Sequence, residues 1–406
     1  MSTATGPADS AAGQDVRGGQ RDSRVLVFSQ RGLEKPVFHA AQYELEDLVA
    51  GLDDVDLLAP PRVPHPTVSR EGRRLVNGTL KRLGAPRRTA PWPRPSMRRT
   101  RVAADHDLFF AVFHSGYQIA HLHRLPHWRD RCRTSACLLV EMWARNVPRN
   151  ADYLRLLADF DVVYVQNPAV IPLLHELGLR DVRFLPLGID ALAFSPLPHV
   201  PPRFIDFLNY GRSSPATHRA ALDLVDREGV TYLYDSREGD QMTDHREHRA
   251  LTANLLKRTR FFFTYSINDS SRRSRTGGDE ALSGRYFEGA AAGAVMLGSL
   301  TDSPEARAAF DWPDAVVPVP YDTDDLEEVL SELGGQPDRL AAIRSDGVRN
   351  ALRRHDWLHR WGQVLADVGL APTTAMRARA DHLEAVAEAS TPERLKLADI
   401  RGTQRA

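Results

Sequence analysis

GGDEALSGRYFEGAAAGAVMLG, Gly277 to Gly298, is the stretch from which the fold is read. Two carboxylates, Glu280 and Glu288, bracket seven residues, and Arg285-Tyr286-Phe287 leads into the second of them. A run of small residues follows from Gly289 to Ala294, and then the apolar Val295, Met296 and Leu297. This pattern predicts a loop, a helix and a buried strand. A helix built of Gly and Ala has little side-chain bulk, so a ligand or another backbone can approach it closely at Gly289. Its first turn carries unpaired N–H groups suited to phosphate. A Glu at its start can accept hydrogen bonds from sugar hydroxyls.

Working outward, the flanking sequence alternates short apolar runs with helical periodicity. On the N-terminal side, strands are predicted at 24–29, 55–58, 108–113, 136–140, 162–165 and 182–187, with helices over 36–52, 117–124, 151–160 and 170–177. A second series begins with a strand at 204–208. It continues with helices at 216–228 and 246–259 and strands at 231–234 and 261–265. After the quoted stretch come a strand near 315–319 and helices over 323–333, 337–352, 357–368 and 374–389. Strand–helix alternation of this kind predicts parallel sheets covered on both faces. Ligands in such sheets lie off the carboxyl ends of the strands. In the first series those ends carry Ser29, His114, Glu141 and Gln166.

The chain's 406 residues suffice for two ordinary domains. Lys+Arg and Asp+Glu both number 53, so no net charge draws the chain to nucleic acid. Its two cysteines, Cys132 and Cys137, read as free thiols of a reducing, cytoplasmic compartment. No apolar run is long enough to span a bilayer. Residues 1–23 lack the apolar core of a secretory signal, and their Gly, Ala, Ser and Asp content predicts disorder. One segment breaks the alternation: 61–102 holds eleven arginines and Lys81 against a single Glu71. Two readings stand for this basic insert, a solvated excursion and a peripheral contact with anionic lipid at the inner membrane face.

The stretch resembles the donor-sugar motif of GT-B glycosyltransferases. Retaining members carry Glu-x7-Glu followed by Ala-x-x-x-Gly and an apolar strand, matched here by Glu280, Glu288, Ala290, Gly293 and Val295. Most of them place Gly-Phe-Gly between the glutamates, where this chain has Ala281-Leu-Ser-Gly284. The wording Arg-x-Phe-Glu with Ala-Ala-Gly-Ala is similar to the "glycosyl transferases group 1" sequences related to spore-maturation proteins. Pro186-Leu-Gly-Ile-Asp190 with Phe194-Ser-Pro196 resembles the passage between the two GT-B domains, Gly188 allowing a turn.

The resemblance implies an α/β fold of GT-B type, two Rossmann-like, doubly wound parallel-sheet domains facing each other across a cleft. The acceptor domain would span 24–195, the donor domain 196–370, and a partly helical tail 371–406. It implies a hexosyltransferase-type enzyme that uses a nucleotide-sugar donor (UDP-, GDP- or dTDP-linked) as co-substrate and retains configuration, with no cofactor and no metal. The acceptor is not specified. Glu288 would bind the ribose and Glu280 would lie by the donor sugar. Arg212, after the first strand of the second domain, and secondarily Arg219 would meet the diphosphate. Arg285 is open between the diphosphate and pairing with Glu280 or Glu288. His114 and Glu141 are the first-domain candidates beside the sugar and the acceptor. Asp322-Thr-Asp-Asp325 reads as a helix start, where capping and the dipole favour acids, and not as a metal motif. His355-Asp-Trp-Leu-His359 matches a segment that, in relatives, begins a helix packing back across both domains. Two alternatives are an NDP-sugar epimerase of the same fold and a catalytically silent binding protein.

Overall fold

A computed structural model describes residues 23–62, 97–235, 241–270 and 273–396. The N-terminal 1–22 and most of the basic insert fall outside these residues, and so do the expectations placed on them.

In the described chain the strands are β1 Val25–Phe28, β2 Val55–Leu58, β3 His106–Phe113, β4 Cys132–Leu139, β5 Val162–Val165 and β6 Val182–Phe184, followed by β7 Ile205–Asn209, β8 Tyr232–Tyr234, β9 Thr259–Thr264, β10 Val295–Gly298 and β11 Val317–Pro318. The α-helices are α1 Ala40–Leu52, α2 Val147–Leu154, α3 Ile171–Glu176, α4 Ala191–Phe194, α5 Pro215–Glu228, α6 His245–Lys257 and α7 Arg273–Thr276, then α8 Gly284–Ala292, α9 Pro304–Ala309, α10 Leu326–Gly334, α11 Pro337–Asn350, α12 Trp357–Asp367, α13 Thr374–Glu388 and α14 Pro392–Lys396. Two sheets result, one of six strands in the order β2-β1-β3-β4-β5-β6 and one of five in the order β11-β10-β9-β7-β8. Their strand pairs are parallel.

Why these runs form central strands is visible in their period of two. Along β1, Val25 and Val27 join one buried cluster while Leu26 and Phe28 join another. Along β3, Leu108, Phe110 and Val112 go one way and Phe109, Ala111 and Phe113 the other. The second sheet repeats the pattern, with Leu208, Phe262 and Met296 on one face and Phe207, Phe261, Phe263 and Val295 on the opposite one. The inner faces of the two sheets contribute to one cluster, together with α1, α8, α12 and α13. The two domains thus share an apolar centre at the crossover.

The crossover is built by close approach. Ile189 N donates to His355 O and Trp357 N to Ile189 O, both at 3.0 Å. A Cβ on Gly188 would lie 2.6 Å from the Trp357 ring, so the glycine is needed for contact with the indole more than for the expected turn. From here α12 crosses back to the first domain. Trp361 packs edge-on to Phe110, and Tyr164 donates to Asp367 at 2.6 Å. The tail is tied to this crossover. Arg379 of α13 bonds both Asp190 and Asp356 at 2.7 Å, and Thr373 Oγ1 donates to Leu52 O. Asp325 caps α10 by accepting from Glu328 N, as the capping reading of that acidic run predicts, while Asp322 accepts from the Ser214 hydroxyl.

Several boundaries differ from the periodicity. The helix expected over 151–160 is α2 from Val147 followed by a 3-10 stretch at 155–159, because Pro148 starts the helix ahead of its first apolar turn. β4 begins at Cys132 rather than 136, since its polar first half pairs with β3 from His106.

Candidate functional site

The second sheet reverses its winding between β7 and β9, which are neighbours although β8 separates them in sequence. That is the switch point where ligands sit in open parallel sheets. Two loops leave it, Tyr210–Ser214 after β7 and Tyr265–Asp269 after β9. At Gly211 φ is +83°, a backbone region that only glycine enters without strain.

The predicted helix lies against these loops as α8. Arg285, buried, donates through Nη1 to the carbonyls of Tyr210 and Arg212 at 3.0 and 3.2 Å, and through Nη2 to Tyr265 O at 3.3 Å. Arg212 Nε shares that Tyr265 carbonyl, also at 3.3 Å. Arg285 thus clasps the two loops together and brings the Arg212 backbone to the mouth of α8. Arg219 projects from α5 into solvent. Ser283, which precedes α8, has an enclosed Oγ with no hydrogen-bond partner.

Glu280 is held on the loop after β9. It accepts from Ser266 Oγ at 2.9 Å and from Asn268 Nδ2. Glu288 lies deeper, only 6 % exposed. Its Oε2 accepts from the Tyr210 hydroxyl at 2.5 Å and its Oε1 from Arg249 Nη1. Burial pushes the Glu288 carboxyl up, and Arg249 with the Tyr210 hydroxyl more than reverses this, so it lies below the usual carboxylate range. Each oxygen holds one donor and keeps acceptor capacity for another.

Gly289 faces away from the loops. A Cβ there would meet Met296 Sδ at 2.8 Å and the Phe262 ring at 3.0 Å. The glycine lets α8 settle on β9 and β10. A Cβ on Gly347 of α11 would likewise lie 3.2 Å from Ala290 O. The small-residue run is read more simply as helix–strand and helix–helix contact.

The first domain brings its two candidates together. His114 Nε2 lies 3.1 Å from Glu141 Oε2, and the ring stacks on exposed Phe38 and meets the edge of His39. Burial lowers the His114 pKa to about 4, so the neutral ring donates Nε2–H to the carboxylate and presents Nδ1 as an acceptor. Trp143 Nε1 donates to the same Glu141 at 3.2 Å. Of the other strand ends, Ser29 is tied to buried Glu46, and the buried Gln166 has an Nε2 without a partner.

Three residues that the sequence reading left out connect the halves. Asp279, next to Glu280, accepts from Ala144 N at 2.6 Å and Asn167 Nδ2 at 3.1 Å, both in the first domain. Glu44 of α1, in the first domain, and Arg249 of α6, in the second, meet at 2.6 Å. A helix-face comparison could have found the latter pair. Glu44 and Asp47 stand three apart on α1, and His245, Arg246 and Arg249 mark one face of α6. Among the described residues no group of three or more His, Cys, Asp or Glu side chains is arranged as a metal site, and no helix is long and apolar enough to cross a membrane.

Comparison with known proteins gives a family match over part of the chain. No curated protein sequence matches it. Among solved structures, TarM is 9 % identical with a TM-score of 0.40, over 64 % of this chain and 54 % of TarM, so the chain spans about half of TarM's length. HepE from Anabaena, solved with UDP-glucose, is 13 % identical with a TM-score of 0.49, over 86 % of this chain and 99 % of its own. An alpha-glucosyltransferase solved with UDP and a 13-mer DNA containing an HMU base is 10 % identical with a TM-score of 0.47, over 86 % and 100 %. The chain folds into two Rossmann-like domains, each built on a parallel sheet, and its residues 229–366, which include Glu280, Glu288 and Arg249, match the Glycosyl transferase-like family.

Proposed function

We propose that this protein is a glycosyltransferase that moves a sugar from a nucleotide-sugar donor, held by the second domain, to an acceptor held by the first. The observation that carries the reading is the seating of α8 under the Tyr210–Arg212 loop at the β7–β9 switch point. It assembles a helix N-terminus, the loop's backbone and two carboxylates at one place. Arg212 and the first turn of α8 serve the diphosphate, where charge builds as the glycosidic bond breaks. Glu288 takes the ribose hydroxyls on its remaining lone pairs. Glu280, braced by Ser266 and Asn268, positions the sugar.

Retention and metal independence belong to the proposal; the first rests on the Glu-x7-Glu pattern and the second on the wider GT-B resemblance. In the transfer, the acceptor oxygen bonds to the anomeric carbon as its bond to the diphosphate oxygen breaks. The acceptor's hydroxyl proton passes to the departing diphosphate. Neutral His114, fixed by Glu141, offers Nδ1 to a hydroxyl of the sugar or the acceptor.

A screen of UDP-, GDP- and dTDP-sugars, followed by NMR, tests this reading. The expected result is release of a nucleoside diphosphate from one donor class. Accumulation of an epimeric nucleotide sugar would assign the fold's epimerase chemistry instead. Binding without turnover of any donor, even with acceptor extracts, would make the protein a silent binder.

A further inference from the structure

Arg249 lies at the centre of a buried contact between the domains. It is 8 % exposed, with its guanidinium carbon 4.6 Å from the Phe194 ring centroid. With the plane fixed this way, Nε and Nη2 point to Glu44 of the first domain at 2.6 and 3.4 Å, while Nη1 bonds Glu288 of the second. Both carboxylates are braced from behind. Glu44 accepts from Trp357 Nε1 and from Asp190 N, each at 2.9 Å, and Glu288 accepts from Tyr210. One cation thus serves two buried acids. Burial pushes the Glu44 carboxyl up against the pull of Arg249, whereas Glu288 sits low.

The contact extends outward as a seam. Asp47, one turn beyond Glu44 on α1, accepts from His245 Nε2 and Arg246 Nε, both at 2.7 Å. Those donors lie one turn before Arg249 on α6, so the two helices run antiparallel with complementary faces. Opening the domains breaks this seam and removes Glu44 from Arg249. The guanidinium is then free to turn about its remaining carboxylate.

We propose that Arg249 is a positioning residue that couples ribose capture by Glu288 to the docking of the two domains through Glu44. The proposal rests on the reading of Glu288 as the ribose ligand. With both carboxylates in place, the Arg249 fork fixes which Glu288 lone pairs face the ligand. With Glu44 gone, Glu288 keeps its charge and loses its aim. Linkage makes the coupling reciprocal: docking raises nucleotide affinity, and nucleotide strengthens docking by the same factor.

The test is calorimetry of the full chain with UDP, GDP and dTDP, without sugar, on variants whose fold is checked by circular dichroism. Glu44→Gln should weaken the preferred nucleotide roughly 5- to 10-fold, within the usual range of coupling between sites. Glu44→Gln combined with Glu288→Gln should bind no more weakly than Glu288→Gln alone. In donor kinetics, the Glu44→Gln loss should fall on KM with kcat near that of wild type, which a general loss of stability would not produce. Asp47→Asn, at the outer end of the seam, provides a milder probe should Glu44→Gln fail to fold. It should weaken binding about 2- to 3-fold, and only while Glu288 is present. Amide exchange in α1 should slow when nucleotide is added to wild type and should not slow in Glu288→Gln. Unchanged nucleotide affinity in folded Glu44→Gln and in Asp47→Asn, alongside a loss in Glu288→Gln, overturns the coupling and leaves the ribose reading standing. Unchanged affinity in Glu288→Gln overturns the ribose reading itself, and the coupling with it.

Discussion

Trp357 Nε1 donates to Glu44 Oε1 at 2.9 Å, joining the helix that returns from the second domain to the first helix of the chain. The indole is buried against Gly188, and the carboxylate it reaches also holds Arg249. A residue of the crossover and a residue of the site therefore share one acceptor, so changes at the crossover should be felt in stability and at the site together.

Trp357→Phe keeps most of the apolar contact and removes this donor. Leaving a buried carboxylate short of one hydrogen bond should cost about 1–3 kcal/mol. The urea midpoint should fall with the slope unchanged. A midpoint equal to that of wild type would mean that Glu44 is satisfied without the indole.

Arg379→Ala removes the bonds from α13 to Asp190 and to Asp356, which is fully enclosed. Breaking a buried pair from one side typically costs about 3–5 kcal/mol. Arg379→Ala should lower the melting temperature clearly and raise proteolysis after residue 370. A shift no larger than that of a surface arginine, Arg155→Ala for instance, would show that the tail does not clamp the crossover.

Asp279→Ala frees the donor loop from Ala144 and Asn167. Amide exchange at Ala144 should accelerate, while β7 and β9 stay protected. Exchange at Ala144 as slow as in wild type would rule out this link across the cleft.

Acid should destabilise the protein over a defined range. Burial lowers the pKa of His39 to about 3, with neighbouring His114 adding to the shift, and lowers that of His114 itself to about 4. His355, packed against Phe287 and Phe310, is lowered to about 3 by burial and by Arg360 and Arg354. In the unfolded chain each titrates near about 6.5, so as pH falls the unfolded state takes up protons first. Their contribution is whole above about pH 6.5 and is lost progressively down to about pH 4 for His114 and about pH 3 for His39 and His355. Urea midpoints at pH 7.5, 6 and 5 should decline in order. In catalysis, His114 predicts an acid limb in kcat/KM near pH 4. A limb at 6.5 that disappears in His114→Gln would contradict the buried neutral ring.

Legibility from sequence followed burial. β2 and β5 were read to the residue, because VDLL and VVYV are short apolar runs with clear ends. The first half of β4, Cys132 to Ser135, carries no apolar signal, since its strand character comes from pairing with β3. Glu280, Glu288 and Arg285 stand out in the sequence because their spacing is local, and Arg212 because it directly follows the first strand of the second series. Glu44, Asp279 and Arg249 do not, because each acquires its meaning from a partner more than 100 residues away, as with Glu44–Arg249 and Asp279–Ala144. The contact of Gly289 with Met296 was not legible for a related reason: small size is equally suited to a ligand and to close packing.

The central claim is that Glu288 binds the ribose of a nucleotide donor while Glu280 serves its sugar. Titration calorimetry with the nucleoside diphosphate alone separates the two, because this ligand lacks the sugar. Charge-assisted hydrogen bonds are worth about 1.5–3 kcal/mol, so Glu288→Gln should weaken the nucleotide roughly 10- to 100-fold. Glu280→Gln should bind it nearly as wild type does and lose kcat with the full donor. Unchanged nucleotide affinity in a folded Glu288→Gln protein would contradict the account.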